Sequence, residues 1–207
     1  MDFKKVAITG HTRGIGKALY DYFLSTGHEV IGFSKSTGFD ISNNEVVNAI
    51  IEQTIDCDLF INNAYHRMQQ TNIAKLWQKT HWNSKHFIVN MSSVAGDPLM
   101  NTPVTMPWIT QYGEEKSSLN ETSYNINYSE SKCNSIVIMP GMVNTNFANP
   151  YDTDEHNGIE LYNKIIKSNS MIQVEEIVDT VVMVLKLIND RNFISSVTVT
   201  NNCMQAL

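Results

Sequence analysis

The stretch Ala7-Ile8-Thr9-Gly10-His11-Thr12-Arg13-Gly14-Ile15-Gly16-Lys17-Ala18 decides the fold. A short apolar strand runs into three glycines and then directly into an amphipathic helix. Gly10 permits a tight turn, Gly14 lets the backbone approach a diphosphate with no Cβ in the way, and Gly16 lets the helix pack close to the strand. The free N–H groups of the helix's first turn then face the anion, which makes the turn a phosphate cradle. The spacing from Thr9 is T-G-x-x-x-G-x-G, one residue longer between its first two glycines than G-x-G-x-x-G. Taken alone, this spacing also fits an ordinary glycine turn.

Outward from the turn, Val6-Ala7-Ile8 suits a strand buried on both faces. Ile15, Ala18, Leu19, Tyr22 and Phe23 recur at helical spacing up to Gly27, a natural helix stop. Residues 29–33 then read as a second strand, which completes a βαβ unit with a right-handed crossover. Phe39-Asp40-Ile41 reads as a very short third strand. Ser42 with Glu45 three residues later forms a capping box for a helix that turns Val46, Val47, Ile50 and Ile51 inward. Further strands are expected over 58–64, 86–93, 135–139 and 193–200, and helices over 112–131 and 174–189. Between 65 and 85 the chain is polar, with one weak helical patch around Ile73, Leu76 and Trp77. Pro98, Pro103 and Pro107 mark 97–110 as a loop. The alternation implies an α/β, doubly wound, mainly parallel sheet of Rossmann-like type, covered on both faces. The 207 residues are read as one domain.

Composition removes several classes of function. A formal charge of -6 with no cluster of Lys or Arg argues against a nucleic-acid partner. Cys57, Cys133 and Cys203 are far apart and lack C-x-x-C spacing, so they read as free thiols in a reducing compartment. With no apolar run long enough for a membrane span or a signal peptide, the expectation is a cytoplasmic protein without a membrane partner. The six histidines show no H-E-x-x-H spacing, so no metal is expected, and the absence of G-x-S-x-G argues against a serine hydrolase.

Four motifs in order then carry a resemblance to the short-chain dehydrogenase/reductase family, from about residue 6 to residue 145. They are Thr9-Gly10-x-x-x-Gly14-x-Gly16, Asn62-Asn63-Ala64, Ser92-Ser93 followed by Tyr112-x-x-x-Lys116, and Pro140-Gly141-x-Val143-x-Thr145. The resemblance implies hydride transfer between a nicotinamide dinucleotide and a small carbonyl or alcohol substrate. Ser93 would orient the substrate oxygen, Tyr112 would exchange the proton, and Lys116 would tune Tyr112 and bind the nicotinamide ribose. The family's fourth catalytic group is an asparagine on the helix after the Asn62-Asn63 strand, and Asn72 is the match, with Asn83 competing. Gly10, Thr12, Arg13, Gly14, Ile15, Gly16, Ser34, Lys35, Asp40, Ile41, Asn62, Asn63, Ala64, Pro140, Gly141, Val143 and Thr145 would line the cofactor site.

Charge points to NADP(H) over NAD(H). Just beyond the second strand, where an NAD-specific site keeps a carboxylate, the chain has Phe33-Ser34-Lys35. Arg13 in the glycine turn can fork onto a 2′-phosphate. Tyr112 and Lys116 lie four apart on one helix face. A phenol brought from a pKa of about 10 to near neutrality needs about 4 kcal/mol. A unit charge about 4 Å away at an effective dielectric near 20 supplies roughly that amount.

A second pair, Tyr128 and Lys132, leaves too few residues before Pro140 for the rest of a helix and a strand, and is rejected. Tyr65 stands where the family usually has glycine, and it would crowd the cofactor or line the pocket. The segment 144–170 is read as the cover of the substrate site. The family's members also assemble through the helix after the Asn62-Asn63 strand and the tyrosine helix, so a homo-oligomer is a further expectation. The alternative reading is a non-catalytic NADP(H)-binding sensor or scaffold of the same fold.

Overall fold

The structure, a computed structural model, describes residues 3–97, 107–145, 171–188 and 192–200. Strands β1 (Lys5–Thr9), β2 (Glu29–Phe33), β3 (Leu59–Asn62), β4 (Phe87–Met91), β5 (Asn134–Pro140) and β6 (Ser196–Val199) form one sheet in the order β2-β1-β3-β4-β5-β6. Every pairing is parallel. The helices are α1 (Gly14–Ser25), α2 (Asn44–Gln53), α3 (Gln69–Thr80), α4 (Pro107–Tyr128) and α5 (Val174–Leu187). The α/β doubly wound reading therefore holds.

Strand alternation sends neighbouring residues to opposite faces, and two cores result. Val6, Ile8, Leu59, Ile61, Val89 and Ile138 pack with Leu19 and Phe23 of α1 and with Ile177, Val181 and Val184 of α5. Ala7, Phe60 and Ile88 face the other way, onto Val47 and Ile50 of α2, Ile73 and Trp77 of α3, and Leu119 and Ile126 of α4. Because β1 leads outward to β2 while β3 lies on its other side, the order reverses between β1 and β3. At such a switch point the strand ends leave a crevice.

Several local expectations are corrected. Phe39-Asp40-Ile41 forms no strand; a 3-10 turn at Lys35–Thr37 ends at Gly38 (φ 92°), and Ile41 drops into the core. The cap of α2 is Asn43, whose side chain accepts from Glu45 N, rather than Ser42. Helix α4 starts at Pro107, inside the expected loop, because proline lacks the N–H that a first turn leaves unpaired in any case. Residues 146–170, most of the expected substrate cover, lie outside the described residues, as does Cys203; Cys57 and Cys133 are free and buried. Among the described residues no helix is long and apolar enough to cross a membrane.

Candidate active site

The glycine turn is built so that no side chain fits. A Cβ on Gly16 would stand 2.3 Å from the Gly10 carbonyl oxygen, and one on Gly10 (φ 74°) would stand 2.8 Å from Asn63 Nδ2. Arg13, in extended conformation, caps α1 from outside, and its side chain is exposed. Across the turn, Thr145 Cγ2 would lie 3.4 Å from a Cβ on Gly14, so the loop after β5 faces the cradle. That loop is held by Gly141 N donating to Val199 O and by a bridge between Val143 and Ile172. A cradle that backbone alone can line is the fit a dinucleotide's diphosphate needs.

Thr12, Ser34 and Ser36 form a triangle of hydroxyls beside the turn, 2.9–3.1 Å apart. Lys35 turns away from it to Asp40, at 2.7 Å, and that pairing holds the Asp40 carboxyl down at about 2. Both residues were expected in the cofactor site, and they are paired with each other.

The two asparagines mostly tie the crevice together. Asn63 Nδ2 donates to Thr9 O, while the main-chain N–H groups of Asn63 and Ala64 donate to Thr9 Oγ1. Asn62 is fully buried, and its amide donates to Gln70 O and Asn90 Oδ1. It therefore forms the floor beneath the crevice.

From Ala64 the crevice continues to the expected reacting groups. Tyr65 follows directly, and its ring lies 5.0 Å from that of Tyr112, edge to face. Ser93, just after β4, lies beside the Tyr112 side chain, and its hydroxyl accepts from Ala95 N, while Ser92 points into the protein toward Lys116 O. Two close approaches bring these elements together. A Cβ on Gly96 would meet the backbone of Lys116 at 2.6 Å, and one on Gly113 would meet Ala95 O at 2.7 Å. The turn after β4 thus rests directly on the backbone of α4. Tyr128, at the far end of α4, is 89% exposed.

Electrostatics at this end differ from the sequence-based estimate. Burial pushes the Tyr112 phenol up to about 12, the neighbouring Ser93 hydroxyl works against this, and the Glu115 charge adds to it. Burial brings the Lys116 amine down to about 7, with Glu115 opposing. Lys116 Nζ lies over the ring faces of Tyr65 and Tyr112, 5.1 and 5.4 Å from their centroids. Burial thus works against the charge that would acidify Tyr112, and the amine is aimed at the ring faces.

Asn72 does not reach Lys116; its amide donates to Gln69 Oε1 one turn back. The side chain that does reach it is Gln70. The sequence reading missed Gln70, Gly96, Gly113 and Glu115, which receives the Tyr65 hydroxyl and the Gln111 amide. Glu115 was legible in principle, since it lies three residues after Tyr112 and so shares its helix face.

The fold is of Rossmann type, similar to that of solved short-chain dehydrogenases. Residues 6–84 match the model of the NAD dependent epimerase/dehydratase family, a stretch that includes the glycine turn and both asparagines. No curated protein matches the sequence. A 4-hydroxyisoleucine dehydrogenase solved with NADH superposes with a TM-score of 0.66 at 20% identity, over 95% of this chain and 97% of that one. A 3-alpha-hydroxysteroid dehydrogenase from Pseudomonas sp. B-0831, solved with NADH, gives 0.72 at 15% identity, over 94% of each chain. A short chain dehydrogenase from Burkholderia cenocepacia J2315, solved with NADP, gives 0.68 at 17% identity, over 98% of this chain and 90% of that one.

Proposed function

We propose that the chain is an oxidoreductase of the short-chain dehydrogenase/reductase type, acting with NADP(H) on a small carbonyl or alcohol. The observation that carries this reading is the placement of the Ser93 hydroxyl beside the Tyr112 side chain at the end of the crevice that starts at the glycine turn. The nicotinamide, when bound, supplies or accepts the hydride. Gly10, Gly14, Gly16 and the first turn of α1 hold the diphosphate, Thr145 and Val143 close the nicotinamide side, and Arg13 with the Thr12/Ser34/Ser36 hydroxyls receives the adenosine 2′-phosphate. Ser93 Oγ binds the substrate oxygen. Tyr112, a phenol kept protonated by burial, gives its proton to that oxygen, which is the direction of carbonyl reduction.

The mixture of NADH and NADP among the similar structures leaves the cofactor preference resting on Arg13 and on the lack of a carboxylate after β2. Tyr65 favours a second reading, a non-catalytic NADP(H)-binding sensor or scaffold, because its ring lies against Lys116, where a ribose would otherwise be received.

One experiment separates the two readings: fluorescence titration with NADPH and NADH, followed by NADPH consumption over a panel of aldehydes and ketones. The enzyme reading expects turnover that falls by at least about 100-fold in Tyr112→Phe with NADPH affinity retained. Tight NADPH binding with no turnover on any carbonyl supports the sensor. If Tyr128→Phe abolishes turnover instead, the assignment of the tyrosine is wrong.

A further inference from the structure

Lys116 is 3% exposed, and among the described residues its ammonium has no carboxylate in contact. Its Nζ donates to Gln70 Oε1 at 2.6 Å and to Met91 O at 2.9 Å. Gln70, itself 2% exposed, is not free to turn, because its Nε2 donates to Asn62 O at 2.9 Å and to Met91 O at 3.1 Å. With two carbonyls on one side of the amide and an ammonium on the other, only one orientation of the side chain satisfies every partner.

Chain length makes this possible. The turn after Tyr65 passes through Arg67 in the left-handed region (φ 44°), so α3 begins at Gln69, seven residues past β3. Gln70 is thereby set in the first turn of α3, beside the ends of β3 and β4.

We propose that Gln70 is a positioning residue for Lys116: its clamped side-chain carbonyl favours the ammonium over the neutral amine and aims it between the rings of Tyr65 and Tyr112. An ammonium has three donors and no acceptor, and hydrogen bonds from a charged donor are the strong ones, so a fixed carbonyl favours the protonated amine over the neutral one. The groups that face Nζ are Tyr112 and Glu115 on its own helix, Tyr65 on the turn after β3, and the neutral Gln70 and Met91 carbonyls on α3 and β4. Arg67 acts on the Tyr65 phenol beyond them. Burial drives the amine toward neutrality, and Gln70 resists that drive.

The role in turnover rests on the dehydrogenase reading above, whereas the link between Gln70 and Lys116 does not. The test is a titration of Lys116 itself in the full chain. Lysine is labelled with 13C at Cε, the Lys116 signal is assigned by its loss in Lys116→Met, and its midpoint is followed in wild type, Gln70→Leu and Gln70→Glu. The midpoint falls by about one pH unit in Gln70→Leu, the scale of one lost hydrogen bond to a charged group. In Gln70→Glu, nearly isosteric and anionic, it rises by at least as much. Opposite shifts cannot come from a merely structural role. An unmoved midpoint in folded variants overturns the proposal. If Gln70→Leu does not fold, Gln70→Glu decides alone, and an unmoved or lowered midpoint there is fatal. In an active enzyme the pH profile of carbonyl reduction moves in the same directions. Shifted midpoints in a protein that turns over no carbonyl leave the clamp standing and count against the dehydrogenase reading.

Discussion

On the β1–β2 side of the crevice the polar groups are hydroxyls and exposed charges: Thr12, Ser34 and Ser36 bond one another, Arg13 and Lys35 face water, and Lys35 is paired with Asp40. On the β4–α4 side they are taken out of water, with Lys116 and Gln70 nearly inaccessible, Glu115 buried, and the phenols of Tyr65 and Tyr112 edge to face. Of the groups named, the large displacements in proton affinity that arise from burial are at Lys116, Tyr65 and Tyr112, on the second side. Polar groups left in water keep the hydration that supports their charged forms. Desolvated ones have their proton affinity shifted, the condition that acid–base chemistry exploits.

The largest expected effect that tests this contrast is at Gly16. In Gly16→Ala the new methyl must displace backbone, the Gly10 carbonyl 2.3 Å away, so NADPH binding is lost and stability falls by about 1–3 kcal/mol. Cofactor titration and urea unfolding measure the two effects; retained affinity would mean that the turn is not the cradle.

Next comes a difference in pH dependence. Lys116 has its amine lowered from 10.5 to about 7 by folding. Between those values the unfolded chain holds a proton that the folded chain lacks, so this group makes stability rise with pH through the window. The unfolding free energy of wild type therefore climbs relative to that of Lys116→Met by up to about 1.4 kcal/mol per pH unit from pH 7 upward. Parallel curves for the two proteins would show that the lysine is charged in the fold.

The smallest effects lie on the exposed side. Arg13→Ala weakens NADPH by about tenfold and leaves NADH nearly unchanged, close to 1.4 kcal/mol. Lys35→Ala costs NADPH less, because the Lys35 ammonium already has Asp40 at 2.7 Å. Asp40→Asn, which releases that lysine, tightens NADPH modestly. Both differences shrink as salt is added. Equal losses for the two cofactors in Arg13→Ala would remove the basis for an NADP preference.

The same contrast governs what could be read in advance. The β1–α1–β2 side was legible because its information is local: glycines at fixed offsets, an apolar run, and helical spacing, with β1 and β2 falling at the expected bounds. Ser93, Tyr112 and Lys116 could be named from motifs alone, yet their electrostatics could not. The estimate for Tyr112 assumed a charged lysine near the phenolic oxygen, whereas burial depends on which distant segments close over the pair. Tyr65, 47 positions before Tyr112, provides that cover. Asn72 was the natural choice on α3 by residue type, but the shortness of the turn through Arg67 sets which position meets the lysine, and that position is Gln70. Asn43 displaced Ser42 as the cap for a smaller reason, since both residue types cap well and adjacent candidates are equivalent on paper.

The amide of Asn90, in the middle of β4, bonds Asn62 of β3 on one side and Ser135 of β5 on the other, and Ser135 in turn meets Ser123 of α4. Three neighbouring strands of nearly uniform aliphatic sequence would otherwise slide past one another at little cost. A one-residue slip of β4 would swing Asn90 to the opposite face, among Leu59, Ile61 and Ile138, and strand its amide in hydrocarbon. That single side chain works as a keyway for the sheet, so the alignment that brings Ser93 to Tyr112 is settled several residues before the chain arrives there.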